Sequence, residues 1–349
     1  MAKSSKKRYG LIGTGPQGED FIQVISAMPD SELVAICEPE DAPLNRALDR
    51  LRDLPATPSI FSSWEDMVAH VKVDALILAR GQDDNHNILP ALIKRSVPLL
   101  VSAPISPTVR GGMAMVREMR AASLPFHIGL QGAADPVIEA LINEANTAKT
   151  GPLLQVKVGQ RAHLPYPSDP EIERDWVFAL VHSCDLIARL VPERPVRVHV
   201  SVPTPDPDAP PSSDAVAAQI TFDYRDGGHG FIDIEPCEPG EARVHRLIFA
   251  GTKLRLDGDL DSGHLVHGHG GAPPEPIEDL PEVSALPESL RGKGRLLATF
   301  QRALNGEDTE TADAAISLRA HALALSVVQA IRYRKPQKIP EWLSPQKLR

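Results

Sequence analysis

The sequence predicts an α/β protein in which a helix-covered parallel sheet is followed by an α+β domain with a large, mostly antiparallel open sheet. Up to about residue 131, short and uniformly apolar segments alternate with amphipathic helical patterns, as expected for parallel strands covered on both faces. Beyond that point, longer β-type segments are joined by turn signals such as Asp226-Gly227-Gly228, which favour hairpins. We therefore expect two domains, residues 1–131 and 132–349.

The first domain is predicted to contain six strands and five connecting helices, with right-handed crossovers between the strands. The first helix ends at Pro29-Asp30, since proline cannot continue a helix. Strands are predicted over residues 9–12, 33–37, 59–61, 74–79, 98–101 and 126–130. Helices are predicted over residues 21–28, 44–51, 64–70, 88–95 and 108–122.

The second domain begins with helical segments and continues with extended ones. Helices are predicted over 136–148 and 177–190, and two final helices, 296–304 and 311–331, are expected to return to the first domain. Extended segments are predicted over 153–160, 196–202, 215–224, 230–235, 244–250 and 253–256. Loops rich in Pro, Gly or acidic residues are expected over 203–213 and 268–290.

A glycine motif follows the first predicted strand and opens the first helix, in the order Gly13-Thr14-Gly15-Pro16-Gln17-Gly18. Gly13 would permit a tight turn, Gly15 would let the backbone approach a diphosphate, and Gly18 would allow close packing of helix on strand. The start of the helix supplies free N–H groups and the positive end of its dipole. The pattern and its position predict a Rossmann-type dinucleotide site.

Glu38 stands at the end of the second predicted strand, twenty residues after Gly18. A carboxylate there can accept hydrogen bonds from the adenosine ribose hydroxyls, and it would repel a 2′-phosphate. NAD is therefore favoured over NADP. The alternative is a glycine-rich turn of some other α/β protein, in which Glu38 is a solvated residue at a strand end.

Bulk composition excludes several classes of partner. A net charge of −9 argues against nucleic acid and anionic membranes, which need a basic face. No stretch approaches the ~18 uninterrupted apolar residues of a membrane span, and the basic N-terminus lacks the features of a secretory signal. Cys37, Cys184 and Cys237 are too widely spaced for a disulfide framework or a cysteine zinc site. We expect a cytoplasmic protein.

Several residues together resemble the Gfo/Idh/MocA family of NAD(P)-dependent oxidoreductases. They are the glycine motif, Glu38, residues 74–78 followed by Asn85-His86, residues 98–104, His182-Ser183-Cys184-Asp185, and a closing pattern with Thr309 and Asp313. The resemblance implies hydride transfer between a nicotinamide and a small molecule, usually a sugar, a polyol or a related carbonyl compound. It also implies a homo-oligomer formed through the open sheet face.

Two positions depart from the family's catalytic pattern. Where the family has Glu-Lys-Pro, this chain has Ser102-Ala103-Pro104, so Ala103 replaces the lysine. His182 matches the histidine of the family's Asp-x-x-x-His motif, but Phe178 replaces its aspartate. Without these groups the usual route of proton transfer and charge stabilisation is lost or moved to other residues.

The resemblance places further candidates at the cofactor and the substrate. Arg80 replaces the family's threonine near the cofactor, and His86 matches a position near it, although a histidine there could instead cap a helix. His182 and Asp185 are candidate catalytic residues. Each has a structural alternative: His182 could be a packed helix histidine, and Asp185 could cap a helix or form a structural pair. The candidate substrate-binding residues are Arg161, His163, Tyr166, Arg174 and Asp175, and an arginine among them could hold an anionic substrate.

We expect no metal site. Cys184 lies between His182 and Asp185, but consecutive helix positions point in different directions. His264, His267 and His269 could bind a metal in a glycine-rich stretch, yet exposed histidines on hairpin strands are the simpler interpretation.

Three functions are consistent with these observations. The leading one is an NAD(P)-dependent oxidoreductase with a divergent active site. The alternatives are a cofactor-binding protein of this fold without turnover, and a lyase or glycoside-cleaving enzyme that oxidises its substrate transiently with NAD.

Overall fold

The computed structural model describes residues 6–51, 57–130, 134–145, 147, 150–203, 214–268, 275–276, 284, 286–307 and 314–341. The chain separates into two compact units. The first consists of Met1–Ala134 and Asp279–Ala314, and the second of Asp135–Glu278 and Ala315–Arg349.

The first unit is built on a six-stranded sheet in the order β3-β2-β1-β4-β5-β6, with every neighbouring pair parallel. This confirms the predicted doubly wound sheet. The strands are β1 (Lys7–Ile12), β2 (Ser31–Cys37), β3 (Ser59–Phe61), β4 (Ala75–Leu78), β5 (Leu99–Ser102) and β6 (Phe126–Gly129). Strands β4 and β5 are buried along their whole length, because helices cover both faces.

Five helices connect these strands: α1 (Pro16–Ala27), α2 (Asp41–Leu51), α3 (Trp64–His70), α4 (Gln82–Lys94) and α5 (Val109–Ala121). Their starts follow local rules. Pro16 occupies the first turn of α1, and the Ser63 and Thr108 side chains accept backbone N–H bonds at the starts of α3 and α5. Helix α4 begins six residues before the predicted start, since its first turns are polar and carry no apolar periodicity.

A later helix, α8 (Glu288–Leu304), completes the first unit. Leu297 and Phe300 are fully buried in the same core as Tyr9 of β1. The Lys293 ammonium pairs with the Asp20 carboxylate of α1. Polar contacts at the edge of the core include Gln301 Nε2, which donates to Ser31 Oγ at 2.7 Å. The last predicted helix, by contrast, falls in the second unit.

The second unit contains a nine-stranded sheet in the order β14-β13-β12-β11-β7-β10-β9-β8-β15. Only the central pair, β7 and β10, is parallel among the pairings described, so the predicted, mostly antiparallel sheet is confirmed. The strands are β7 (Leu153–Ala162), β8 (Arg197–Ser201), β9 (Ala218–Asp223), β10 (His229–Pro236), β11 (Arg243–Gly251), β12 (Arg255–Asp259), β13 (His264–Gly268), β14 (Glu275–Pro276) and β15 (Gln337–Lys338).

Helices α6 (Pro136–Ala145) and α7 (Pro170–Leu190) cover one face of this sheet. Helix α7 begins seven residues before the predicted start, because its first two turns are polar. The Asp169 carboxylate caps it by accepting the Glu171 and Ile172 N–H groups at 2.9 and 3.0 Å. Its C-terminal end is held by the buried Arg319, which donates to four backbone carbonyls between residues 188 and 193.

Arg319 belongs to the last helix, α9 (Ala314–Tyr333). In the part of the chain described, α9 is the one helix that is long and apolar enough, by length and composition, to cross a membrane, although polar residues such as Arg319 and His321 interrupt its apolar sequence. Most of it is buried within the fold, as in the core helix of a water-soluble domain.

The buried His321 on α9 makes stability sensitive to acid. Burial lowers the pKa of His321 from 6.5 to about 4, so between these values the unfolded chain binds a proton that the folded chain does not. The stability that neutral, buried His321 contributes to the folded state is present in full above pH 6.5, and it is lost as the pH falls toward 4. Once the pH is below both pKa values, the free energy of unfolding is expected to be lower by about 3 kcal/mol.

In His321→Gln we therefore expect a shallower fall of unfolding free energy between pH 6.5 and 4 than in the wild type, measured by urea denaturation. His70→Gln on α3, whose side chain is exposed, is the control and should follow the wild-type profile. Parallel profiles for His321→Gln and wild type would contradict this assignment.

Candidate functional site

The glycine motif forms a tight turn at the end of β1. Gly13 adopts φ +94°, in the left-handed region that favours glycine. A Cβ at Gly13 would lie 2.5 Å from Arg80 Cγ and 2.9 Å from the Ala79 carbonyl oxygen. The turn predicted at Gly13 therefore needs glycine for both its backbone angle and its space.

The other two glycines set the position of α1. A Cβ at Gly18 would lie 2.1 Å from the Gly13 carbonyl oxygen, so helix and strand approach as predicted. Gly15 is the N-cap of α1, and a Cβ there would meet nothing within 4 Å. Open space thus lies beside Gly15 at the N-terminus of α1, and the N–H groups of a first helical turn, here including that of Gln17, have no acceptor within the helix and favour an anion. This cradle fits a dinucleotide's diphosphate.

Glu38 is not the solvated strand-end residue of the alternative interpretation, since only 4% of it is exposed. Its Oε2 accepts the Thr14 N–H at 2.8 Å and the Thr14 hydroxyl at 3.2 Å. Its Oε1 accepts the Glu40 N–H at 3.2 Å and Arg80 Nη1 at 3.3 Å. The carboxylate holds the glycine turn in place through Thr14.

Arg80 follows β4 and points toward the end of β2. Its Nε donates to Asp84 Oδ2 at 2.8 Å, and its Nη2 lies 3.9 Å from Glu40 Oε1. Burial lowers the pKa of the guanidinium, but the hydrogen bond to Asp84 and the charges of Asp84, Glu38 and Glu40 together raise it above its usual value. Arg80 is thus an ion-paired group at the dinucleotide site, with 16% of its side chain exposed.

The segment after β5 is anchored by α4. Ala103, which the sequence resemblance places where the family has a lysine, is 5% exposed and precedes Pro104 through a cis peptide bond. The buried Asn85 donates from Nδ2 to the Ser102 carbonyl at 3.2 Å. From the sequence, Asn85 was only part of the family resemblance, and no contact was predicted for it. A polar residue next to the apolar stretch of α4 was the signal that could have pointed to a buried hydrogen bond.

His86 does not cap a helix, because the N-cap of α4 is Gly81. Its exposed ring has Nδ1 3.2 Å from Ser106 Oγ, in the same segment after β5. His86 and Asn85 therefore both connect α4 to the segment that carries Ala103.

The first half of α7 presents an exposed face. Phe178 is 42% exposed, and its ring meets the half-buried His182 ring edge-on at 6.3 Å between centroids. Asp175 and Arg174 are exposed one turn earlier. Although Asp175 is exposed, the helix around it partly desolvates its carboxyl group; this effect and the Glu171 charge raise its pKa, opposed by Arg174. Asp175 and His182 share a face as predicted, separated by ~10 Å along the axis.

Asp185 lies in the second half of α7, where residues 183–188 are all buried. Its Oδ2 accepts from Arg189 Nε at 2.8 Å, one turn along the same helix. Cys184 beside it is also buried. This environment favours the structural alternative for Asp185, an internal ion pair.

Arg161 lies on the opposite side of the sheet from α7. Its neighbour Gln160 donates to the Ala179 carbonyl and accepts from Ser183, both on α7, so Arg161 points away. There it pairs with Glu235 at 3.6 Å. The structure therefore does not bring Arg161 to the exposed face of α7.

His163 and Tyr166 follow β7 in the chain. His163 Nδ1 lies 3.0 Å from the Cys237 backbone carbonyl, and Tyr166 is half-buried. His264 and His267 lie three residues apart on β13, which places them on opposite faces of the sheet, and His269 falls outside the residues described. Within the described ranges, no group of three His, Cys, Asp or Glu side chains could hold a metal ion.

Comparison with known proteins adds a family match and distant relatives. Residues 7–130 match the GFO_IDH_MocA family model, described as "Oxidoreductase family, NAD-binding Rossmann fold". An inositol 2-dehydrogenase from Corynebacterium glutamicum is 27% identical over 209 residues, which cover 57% of this chain and 58% of that protein. The match therefore spans somewhat more than half of that relative's length.

Solved structures share the fold along almost the whole chain. UDP-N-acetylglucosamine 3-dehydrogenase from Acidithiobacillus ferrooxidans superposes with a TM-score of 0.73 at 19% identity, covering 94% of this chain and 98% of that one. An oxidoreductase from Agrobacterium radiobacter, in complex with NAD+, L-tartaric acid and magnesium, has a TM-score of 0.72 at 14% identity and covers 96% and 99%.

The two glycines of α1 give a matched pair of variants. In Gly18→Ala the methyl group would collide with the Gly13 carbonyl, so we expect a loss of ~1–3 kcal/mol in unfolding free energy. In Gly15→Ala the methyl group enters open space. We expect its stability to stay within ~0.5 kcal/mol of wild type while NAD affinity falls about tenfold or more, because the diphosphate needs that space.

Urea denaturation and calorimetric titration with NAD measure the two effects. Undiminished NAD affinity in Gly15→Ala would show that no diphosphate approaches this residue.

Proposed function

We propose that this chain, whose N-terminal domain is an NAD-binding Rossmann domain of the Gfo/Idh/MocA oxidoreductase family, is an NAD(P)-dependent oxidoreductase acting on a sugar, a polyol or a related hydroxy or carbonyl compound. The glycine turn carries the proposal: Gly13 and Gly18 have no room for a side chain, while Gly15 opens onto free space at a helix N-terminus. That combination suits a diphosphate bound by backbone groups.

NAD is the favoured cofactor. The residues that would hold it are Gly13 to Gly18 at the diphosphate and Glu38 at the adenosine ribose. Arg80, His86 and Ala103, the other residues predicted at the cofactor, would lie beside it. When bound, NAD would take up a hydride from a carbon that bears a hydroxyl. A 2′-phosphate would meet the carboxylates of Glu38, Glu40 and Asp84, which surround Arg80.

His182 is the best candidate for moving the substrate proton. Its imidazole is half-buried on the exposed face of α7, and histidine can give or take a proton near neutral pH. Asp175 on the same face is a second candidate. Arg174, also exposed there, could hold an anionic substrate. We assign Asp185 and Arg161 supporting roles, because each is already ion-paired away from this face.

A second function is favoured by the residues at the two altered positions. Ala103 is a buried methyl group and Phe178 an exposed ring, so neither can supply the charge or proton of the family's lysine and aspartate. A protein with this site could bind NAD without turning over a free substrate. The leading proposal therefore requires His182 to act without those partners.

We also infer a homo-oligomer in the cytoplasm. The face of the sheet opposite α7 carries cross-strand ion pairs, among them Arg246 with Asp257 and Lys157 with Asp233. Partly or wholly buried apolar side chains such as Ile248 lie between them. A face that carries both positive and negative side chains can pair with the same face of a second copy, so it suits a self-complementary contact between copies of one chain.

The test is NADH formation with purified protein, NAD or NADP, and a panel of sugars, polyols and hydroxy acids, beside a thermal-shift titration of each cofactor. We expect turnover with at least one panel member. His182→Ala should lower kcat by ~10²–10⁴-fold and leave NAD stabilisation unchanged. His70→Ala, a change of the same kind at an exposed site on α3, should keep wild-type activity.

Thermal stabilisation by NAD with no turnover on any panel member would favour the second function. If neither cofactor stabilises the protein, both proposals fail.

A further inference from the structure

Arg80 crosses the dinucleotide site from one side to the other. It follows β4, which neighbours β1, and its guanidinium reaches Glu38 at the end of β2 on the far side of β1. On the way its Cγ passes within 2.5 Å of where a Gly13 Cβ would stand. The side chain therefore lies over the turn that would carry the cofactor's diphosphate.

The Glu38 carboxylate has almost no free hydrogen-bond acceptor positions. It accepts from Thr14 N–H, Thr14 Oγ1, Glu40 N–H and Arg80 Nη1, and a carboxylate offers about four acceptor positions. Ribose hydroxyls can bind Glu38 only by replacing one of these donors. Two of them are backbone N–H groups fixed in the chain, whereas Arg80 makes the longest bond, 3.3 Å, from a flexible side chain.

Arg80 would remain near the site after leaving Glu38. Its Nε is bound to Asp84 at 2.8 Å, one turn into α4, so Nη1 can move while this contact is kept. Its positive charge then stays among the carboxylates of Glu38, Glu40 and Asp84. A cation in that position lessens the repulsion that a 2′-phosphate would meet there.

We propose that Arg80 determines which dinucleotide the protein binds. It competes with the ribose hydroxyls for Glu38 and so weakens NAD binding, and it supplies the positive charge that makes the site tolerant of a 2′-phosphate. The inference rests on the proposed function, because it requires a dinucleotide at the glycine turn. It gives Arg80 a role opposite to that of a simple cofactor contact.

Arg80→Met tests this role, since methionine keeps the unbranched stem over Gly13 and removes the charge and its hydrogen bonds. We expect NAD affinity to rise about fivefold, because the hydrogen bond with which Arg80 competes for Glu38 is removed. NADP affinity should fall at least about fivefold, because three carboxylates then face the phosphate without a cation. Calorimetric titration with NAD and NADP measures both, without any turnover.

Arg117→Met on α5, an exposed arginine with the same change of charge, is the control and should leave both affinities as in wild type. Weaker NAD binding by Arg80→Met would overturn the proposal and make Arg80 a direct cofactor ligand. Unchanged affinities would overturn it as well. Failure of wild type and variants alike to bind either dinucleotide would instead reject the proposed function.

Discussion

The close approach of α1 to the end of β1 is the contact on which the dinucleotide site depends. A Cβ at Gly18 would stand 2.1 Å from the Gly13 carbonyl oxygen, so the helix can take this position only with glycine there. With α1 in place, its N-terminus opens onto free space at Gly15. Arg80 crosses Gly13 and meets Glu38, which in turn holds Thr14. The hydrogen bonds among Thr14, Glu38 and Arg80 are built on that backbone geometry.

Helix α7 separates two kinds of polar residue along its length. Its first half exposes Asp175, Phe178 and part of His182 to solvent, whereas Asp185 in its second half is buried and paired with Arg189. The half-buried imidazole of His182 keeps part of its surface open to a ligand. The buried Asp185 carboxylate is bound by the Arg189 guanidinium, and removing one partner of such a pair leaves an uncompensated buried charge. The proposed proton-transfer residue and the buried ion pair thus lie on different turns of one helix.

Much of the fold follows from the sequence, because buried parallel strands and amphipathic helices leave periodic patterns. Errors occur where that pattern is missing. Helices α4, α7 and α8 start earlier than predicted, in polar turns, and α8 begins inside the segment predicted as a loop. Asp169-Pro170 is nonetheless a recognisable helix start. The Asp185–Arg189 pair was also visible as a four-residue spacing. The hydrogen bonds among Thr14, Glu38 and Arg80 were not predictable, since they depend on the directions of side chains that follow three different strands.

The place of α8 in the chain has a consequence for biosynthesis. Its Leu297 and Phe300 fill the core that also contains Tyr9 and Ile22, yet they follow the whole of Asp135–Glu278. On the ribosome, the N-terminal sheet would lack α8 while residues 135–278 are made, about 7 to 30 seconds at ~5–20 residues per second. During that interval its apolar surface is uncovered, so nascent chains of this protein should be clients of chaperones that shield such surfaces.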